Sequence, residues 1–173
     1  HNGAGKSTLF LLLSGLQPSW SGEVYLHGQL IHPQARVSLR QQVALVLQNS
    51  NYQLFTPSVE DEIAFGLKNM GLREEALHDR LEELLTHYNL AELRHKPPHE
   101  LSEGQKKWVA LVAVLATDPE VLILDEPTAA LDALYTERVL DLLEQLHLAG
   151  KTIVISTHDM ELASRFADRV LLM

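Results

Sequence analysis

The residues with the clearest chemistry stand in the segment Asn2-Gly3-Ala4-Gly5-Lys6-Ser7-Thr8. Its two glycines let backbone N–H groups point inward, because no Cβ stands in the way. Those amides, together with the helix that follows, form a site for an anion such as phosphate. Lys6 supplies a cation for phosphate oxygens, and Ser7 supplies a hydroxyl for Mg²⁺. The segment therefore predicts a loop that binds nucleotide phosphates.

The complete pattern for such a loop is Gly, any four residues, and then Gly-Lys-Ser or Gly-Lys-Thr. Gly5, Lys6 and Ser7 match its end, whereas the first Gly would stand immediately before His1. Taken alone, the segment could also be a glycine-rich turn that contains a lysine. Apolar residues at helical spacing predict an anchoring helix after it: Leu9, Phe10, Leu12, Leu13 and Leu16.

Two acidic side chains follow an apolar run much later in the chain. The run 121–124 predicts a buried strand, and Asp125 and Glu126 come directly after it. Ligands bind open α/β sheets outside the carboxyl ends of the strands, so these acids are expected beside the phosphate loop. Asp125 would hold Mg²⁺, and Glu126 would be the general base or would orient the attacking water. A solvated acidic turn is the alternative interpretation.

Several apolar runs predict the strands that must position these residues. They cover 43–47, 121–124, 152–156 and 169–173, and each lies near a helical pattern. This arrangement favours an α/β fold with a largely parallel sheet. Residues 22–28 predict one further short strand between turns.

Between Tyr52 and Leu115 the pattern changes to helices. Thr56 predicts an N-cap with Pro57 at the first helical position. A buried helical face is predicted by Leu77, Leu81, Leu84, Leu85 and Tyr88. The opposite, solvated face is formed by Arg73, Glu74, Glu75, Asp79, Glu82 and Glu83.

The segment Leu101-Ser102-Glu103-Gly104-Gln105 predicts the start of another helix. Ser102 suits the N-cap, and Gln105 falls at the third helical position, as in a capping box. The Ser102 hydroxyl, the Gly104 amide and the helix dipole can together meet a phosphate. An ordinary helix cap is the simpler interpretation of these residues alone.

The composition narrows the class of protein. The 173 residues suit one domain with a real core. The 23 acidic and 14 basic residues give a net charge of −9, which argues against a nucleic-acid surface. The chain has no cysteine, which excludes a disulfide framework and a cysteine-based metal site. Its longest apolar run, 109–116, is far shorter than a membrane span.

Together these segments resemble the ATPase subunits of ABC transporters. The resemblance rests on the phosphate loop, on 101–110 and on the strand 121–124 with its two acids. It implies an α/β P-loop NTPase (RecA-like) core with an inserted helical subdomain. A single domain over 1–173 would have its core at 1–50 and 116–173 and its helical subdomain at 51–115. Glu103 stands where this family usually has Gly, and Trp108 where it usually has Arg.

The same resemblance assigns roles to individual residues. ATP would bind Asn2 to Thr8, and Mg²⁺ would meet Ser7, Gln48 and Asp125. Gln48 would sense the metal and the attacking water, and His158 would contact the γ-phosphate. The signature residues Ser102, Glu103, Gly104 and Gln105 would face ATP held by a second ATPase subunit, in a homo- or heterodimer. Asp132 would lie in the loop at the dimer seam.

Residues 48–55 and 59–66 resemble those of the energy-coupling-factor (ECF) importers, and 40–43 and 104–107 look most like the cobalt and nickel branch. The resemblance implies a peripheral ATPase at the cytoplasmic face of the membrane, bound to a transmembrane subunit, for uptake of cobalt, nickel or a vitamin. An importer of amino acids or peptides is the alternative. A soluble ABC ATPase of DNA repair or translation is a more distant one, because no coiled-coil insertion or second cassette is seen.

Two further expectations follow from the resemblance. Glu60, Asp61 and Glu62 are candidates to meet arginine on the membrane subunit, although an acidic helix start is also favoured by the dipole. In this family a central strand and an adenine-stacking aromatic residue precede the phosphate loop. We therefore expect residues 1–173 alone to fold poorly and to bind ATP weakly.

Overall fold

The computed structural model describes residues 4–18, 21–32 and 36–173. In chain order, the elements are α1 (Lys6–Leu13), β1 (Tyr25–Leu26), β2 (Gln29–Leu30), α2 (Arg36–Gln42), β3 (Val43–Val46), α3 (Val59–Asn69), α4 (Glu74–His87), α5 (Glu103–Leu115), β4 (Val121–Asp125), α6 (Ala133–Leu148), β5 (Thr152–Ser156) and α7 (Met160–Phe166). Short 3₁₀ turns cover Ser50–Tyr52, Ala91–Leu93 and Pro98–Glu100.

The strands β3, β4 and β5 form a parallel sheet with β4 in the middle. Val121 pairs with Val43 on one side and with Thr152 on the other, so the three strands begin at the same level. Helices cross between them, as parallel pairing requires. The predicted α/β class is confirmed, and the three predicted strands agree with the structure to within one residue.

Helices cover both faces of this sheet. Side chains alternate along each strand, so each strand presents apolar side chains to both faces. Ile123 packs on one face in a cluster with Phe10 of α1. Leu122 and Leu124 belong to the larger cluster on the other face, which includes residues of α3, α4, α5 and α6. This strand is therefore fixed from both sides, and so is the position of the residues that follow it.

Helix α3 packs against both α4 and α5. Leu81, Leu84 and Leu85 are buried on the face predicted for α4. Trp108 of α5 is also buried, and its Nε1 donates a hydrogen bond to the Tyr88 carbonyl oxygen at 3.0 Å. The tryptophan thus closes the joint between α5 and the end of α4.

One predicted strand and one predicted helix end are wrong. Residues 169–173 form no strand in the part of the chain that the structure describes, and Leu171 and Leu172 are 78% and 87% exposed. An apolar run becomes a strand only when a neighbouring strand pairs with it, and this run enters no described pairing. In the first helix, Leu16 lies beyond the end of α1 and is 52% exposed.

The third helix also begins later than predicted. Its N-cap is Ser58, whose side chain accepts a hydrogen bond from the Asp61 N–H. Thr56 is engaged elsewhere, because its hydroxyl oxygen lies 2.7 Å from a carboxylate oxygen of Glu62. Of the predicted strand 22–28, only Tyr25–Leu26 pairs, in an antiparallel hairpin with β2.

The acidic start of α3 is bound within the chain. Glu62 is 5% exposed, and its Oε2 accepts hydrogen bonds from the Phe55 and Thr56 N–H groups, each at 3.0 Å. The expectation that Glu62 meets a partner protein is therefore wrong, because this side chain is buried and its Oε2 is bound within the chain. The neighbouring pairs are Glu60 with Arg94 at 2.7 Å and Asp61 with Ser58 at 2.6 Å.

Replacing the buried carboxylate should destabilise the fold. In Glu62→Leu, two backbone N–H groups lose their acceptor, so the free energy of unfolding should fall by about 2 kcal/mol or more. Denaturant unfolding of the full-length protein measures this loss. The matched control is Glu144→Leu on the exposed side of α6, where a change within about 0.5 kcal/mol is expected. Equal effects at both positions would contradict the role given to Glu62.

The signature segment packs tightly against the first turn of α6. A Cβ added to Gly104 would lie 2.5 Å from Cδ2 of Tyr135, which is closer than real carbon atoms approach. Asp132 fixes this turn, because its side chain accepts a hydrogen bond from the Tyr135 N–H at 2.9 Å. Glycine is therefore required at 104 by space and not by backbone angle.

This packing can be tested with a double-mutant cycle. Gly104→Ala should lower the free energy of unfolding by about 1–3 kcal/mol, because the added methyl group overlaps the Tyr135 ring. In a Tyr135→Ala background the same change should be neutral or stabilising, since alanine favours a helix over glycine. An equal loss in both backgrounds would exclude the proposed overlap. Thermal or denaturant unfolding of the four proteins provides the measurement.

Candidate functional site

The site is built around Asp125, the last residue of β4. Asp125 is 6% exposed, and its Oδ2 accepts a hydrogen bond at 2.6 Å from the Ser7 hydroxyl in the first turn of α1. Its Oδ1 accepts a short hydrogen bond from the Ser156 hydroxyl at the end of β5. A buried carboxylate requires such donors. Three elements therefore meet at this one side chain.

Glu126 follows in an unusual backbone conformation. Its φ of 49° lies in the left-handed region, which costs a non-glycine residue about 1–3 kcal/mol. The conformation is held by Ser156, since the Glu126 N–H donates to its carbonyl oxygen at 3.1 Å and to its hydroxyl oxygen at 3.0 Å. The effect is to place a carboxylate that is only 11% exposed at the edge of the sheet.

Two predicted residues contact this carboxylate. The Lys6 ammonium lies 3.5 Å from Oε1 of Glu126, and Nδ1 of His158 lies 2.9 Å from Oε2. The His158 side chain is otherwise 80% exposed. The structure thus brings Lys6, Ser7, Asp125, Glu126 and His158 into one cluster at the carboxyl edge of the sheet.

The described part of the phosphate loop leads directly into α1. Gly5 is the N-cap of that helix and has a φ of 91°, and a Cβ there would meet no atom within 4 Å. Backbone angle, and not space, therefore requires glycine at this position. Ala4 and Thr8 are exposed, while the predicted residues Asn2 and Gly3 lie outside the described residues. The helix start offers its N–H groups to an anion.

The signature segment forms the predicted capping box. The Ser102 hydroxyl oxygen accepts from the Gln105 N–H at 3.2 Å, and the Gln105 side chain accepts from the Ser102 N–H at 3.0 Å. Glu103 is exposed and pairs with Lys106 at 2.8 Å. Within the described ranges, no hydrogen bond or ion pair links the signature segment to the cluster around Glu126. One chain therefore does not bring these two groups together.

The remaining predicted residues lie on loops. Gln48 is exposed just after β3, and Asp132 is the N-cap of α6. Our sequence reasoning missed three residues that the structure makes important, namely Tyr135, Ser156 and Lys107. Ser156 had a signal, because it ends a predicted strand just as Asp125 does. Lys107 had a weaker signal, as a lysine beside the apolar run of α5.

The donor atoms fit Mg²⁺. Ser7 and Asp125 present a hydroxyl and a carboxylate oxygen side by side, which are the hard ligands that this ion prefers. No group of three or more His, Cys, Asp or Glu side chains that could hold a metal occurs among the described residues. Mg²⁺ takes one or two carboxylates from a protein and completes its shell with substrate phosphates and water.

No helix in the part of the chain that the structure covers is both long and apolar enough to cross a membrane. This observation concerns residues 4–18, 21–32 and 36–173 alone.

Solved structures share this architecture. The structure of cbiO1 from Clostridium perfringens, described as part of the ABC transporter complex cbiONQ, is 40% identical with a TM-score of 0.79. The match covers 92% of this chain and 65% of that one. A dimeric ATP-binding cassette in a post-hydrolysis state, bound to ADP and Pi, has the same TM-score of 0.79 at 28% identity. That match covers 92% of this chain and 72% of the cassette.

Sequence relatives lead to the same group. The energy-coupling factor transporter ATP-binding protein EcfA of Methanocaldococcus jannaschii is 45% identical over 99% of this chain and 62% of its own length. The protein of that name from Carboxydothermus hydrogenoformans is 42% identical, over 100% of this chain and 64% of its own length. The chain thus spans less than two thirds of these relatives. The family model described as ABC transporter matches residues 1–129, and the chain belongs to the ABC transporter family.

Proposed function

We propose that this chain binds and hydrolyses ATP and that the hydrolysis powers an importer. The carrying observation is the cluster at the end of β4, where the Ser7 hydroxyl lies 2.6 Å from Asp125 and the Lys6 ammonium 3.5 Å from Glu126. A hydroxyl, a cation and two carboxylates beside a helix N-terminus are the groups that phosphoryl transfer to water requires.

Each residue has a distinct role in this proposal. Lys6 and the N–H groups of the phosphate loop bind the phosphates, while Ser7 and Asp125 hold Mg²⁺. When bound, Mg²⁺ neutralises charge that develops on the phosphate oxygens. Glu126 accepts a proton from the attacking water or orients it, and His158 contacts the γ-phosphate. Gln48, on the loop after β3, senses the metal and the attacking water.

A second ATPase subunit completes the site. Ser102, Glu103, Gly104 and Gln105 would close over ATP held by the other subunit, with Asp132 at the seam. The position of Ser102 supports this arrangement, because it is exposed at the N-terminus of α5, where the helix dipole favours an anion. The dimeric state of one related cassette also supports it.

The test of the chemistry is Glu126→Gln in the full-length protein. Glutamine keeps the shape and hydrogen-bonding capacity but removes the negative charge, so ATP hydrolysis should fall by roughly a hundredfold or more. ATP should still bind through Lys6 and Ser7, so the ATP-bound dimer should accumulate. Steady-state ATPase rates and ATP-dependent dimerisation, followed by size-exclusion chromatography, measure both effects.

Lys6→Ala is the contrasting variant, because it removes phosphate binding and should therefore prevent the dimer as well. Hydrolysis near the parental rate in Glu126→Gln would mean that another group activates the attacking water. His158 is the first candidate for that group. A parental protein that neither binds nor hydrolyses ATP would overturn the proposed function.

We further propose an ECF-type importer that takes up cobalt, nickel or a vitamin, with this chain on the cytoplasmic face of the membrane. The EcfA relatives support the ECF branch, and the related cbiO1 structure, part of an ABC transporter complex, supports a role in transport. An importer of amino acids or peptides is the alternative. In this proposal, the helical subdomain at 51–115 meets the membrane subunit, and the core is formed by 1–50 and 116–173.

In this proposal, the membrane subunit docks on an aromatic patch, by which we mean the exposed residues Tyr52, Phe55 and Phe65. These side chains belong to residues that are 82%, 67% and 46% exposed, and the two phenylalanine rings meet edge to face at 5.0 Å. Solvent-exposed aromatic side chains are favoured anchors for a protein partner. The patch lies next to Glu62, whose buried carboxylate fixes the backbone of Phe55.

Replacing Phe55 and Phe65 together by serine should weaken co-purification with the transmembrane subunit by roughly tenfold, because the patch loses its anchors. ATP affinity should stay unchanged, since the cluster around Asp125 is untouched. Leu148→Ser, at an apolar residue that is 79% exposed, is the matched control and should assemble normally. Pull-down from solubilised membranes measures assembly, and full assembly of the double variant would exclude the patch as the docking surface.

A further inference from the structure

Lys107 is buried in a way that ordinary packing does not explain. It lies on α5 and is 4% exposed, although lysine is almost never fully buried unless it is paired. Its ammonium donates a 2.6 Å hydrogen bond to the Gln48 carbonyl oxygen and lies 3.5 Å from the Leu47 carbonyl oxygen. The buried ammonium group thus bonds to backbone carbonyl oxygens where the loop after β3 begins.

Gln53 ties the same loop to the same helix. Its side-chain oxygen accepts from the Leu47 N–H at 3.0 Å, and its side-chain nitrogen donates to the Ala110 carbonyl oxygen at 3.1 Å. Positions 107 and 110 are three residues apart and lie on one face of a helix. Two independent connections therefore join Leu47 and Gln48 to a single turn of α5.

The environment of Lys107 favours this arrangement over an ion pair. Burial lowers the pKa of Lys107, while the carboxylates of Asp125, Glu126 and Glu103 act in the opposite direction. No carboxylate in the described part of the chain lies within ion-pair distance of its ammonium. The lysine therefore lies in the electrostatic field of these carboxylates without touching them, and its direct partners are carbonyl oxygens.

The connected parts line an open cavity of about 530 Å³. Its walls come from the loop that starts at Gln48, from Glu103 and Lys107 of α5, and from residues 129–131, which lead towards α6. The cavity therefore lies where the start of the signature helix meets the loop that carries Gln48.

We propose that Lys107 is a positioning residue that, together with Gln53, clamps the loop of Gln48 to α5. Gln48 and the Ser102 end of α5 then move as one rigid body, so closure of the signature segment over a phosphate carries Gln48 with it. The catalytic consequence rests on the proposed function, whereas the clamp itself does not.

The first test follows the clamp without using activity. Lys107→Met keeps the length of the side chain but removes the donors, so amide hydrogen exchange at residues 48–53 should rise by roughly tenfold. Exchange in β3 and in the rest of α5 should stay near the parental rate. Gln53→Leu removes the other connection and should raise exchange in the same loop. Lys151→Met is the matched control, because Lys151 bonds to Asp118 on the surface at 2.6 Å, away from this loop.

The second test separates positioning from general stability in the full-length protein. Lys107→Met should lower kcat for ATP by roughly tenfold, as misplacement of a site group does. KM for ATP should stay within about twofold, since the phosphate loop is unaltered. Lys107→Arg keeps a buried cation that can donate to carbonyl oxygens, and it should recover most of kcat.

The outcomes distinguish the two proposals. Unchanged exchange at 48–53 in both Lys107→Met and Gln53→Leu would overturn the clamp, whatever the ATPase rate. Exchange that rises throughout the chain would also overturn it, because Lys107 would then serve stability alone. Local exchange changes in a protein that hydrolyses no ATP would support the clamp and reject the proposed function.

Discussion

The hydrogen bonding of one buried carboxylate organises the rest of this site. Asp125 ends the middle strand of the sheet and is only 6% exposed, so neighbouring side chains must supply its hydrogen bonds. Hydroxyl groups from α1 and from β5 do this. These hydrogen bonds consequently fix the start of α1 relative to the strands β4 and β5.

Ser156 links this constraint to the next residue. The same hydroxyl that donates to Asp125 accepts the Glu126 N–H, and so stabilises the left-handed backbone that aims the Glu126 side chain. Backbone strain of this kind persists only where the surroundings over-determine it. One serine therefore sets both the metal-binding and the water-handling carboxylates of the proposed mechanism.

The helix α5 is the second organising element. Its start is capped by Ser102 and pressed against Tyr135 at Gly104, while its first turns hold the loop of Gln48 through Lys107. Every one of these contacts uses a main-chain or close-packed partner, which leaves little freedom for adjustment. The helix is thus suited to carry a displacement from one end to the other.

The sequence alone predicted the α/β class, the three parallel strands, and the phosphate loop with its two acids after a strand, because local spacing encodes strands, caps and phosphate loops. His158 was added to this set only by the family resemblance. The sequence also determined the capping box, whose two partners lie three residues apart. Only the tertiary structure decided that Glu62 is buried, that 169–173 is not a strand and that Lys107 reaches the loop of Gln48. These outcomes depend on contacts between residues distant in the chain, or on a pairing partner, and spacing along the sequence carries no record of either.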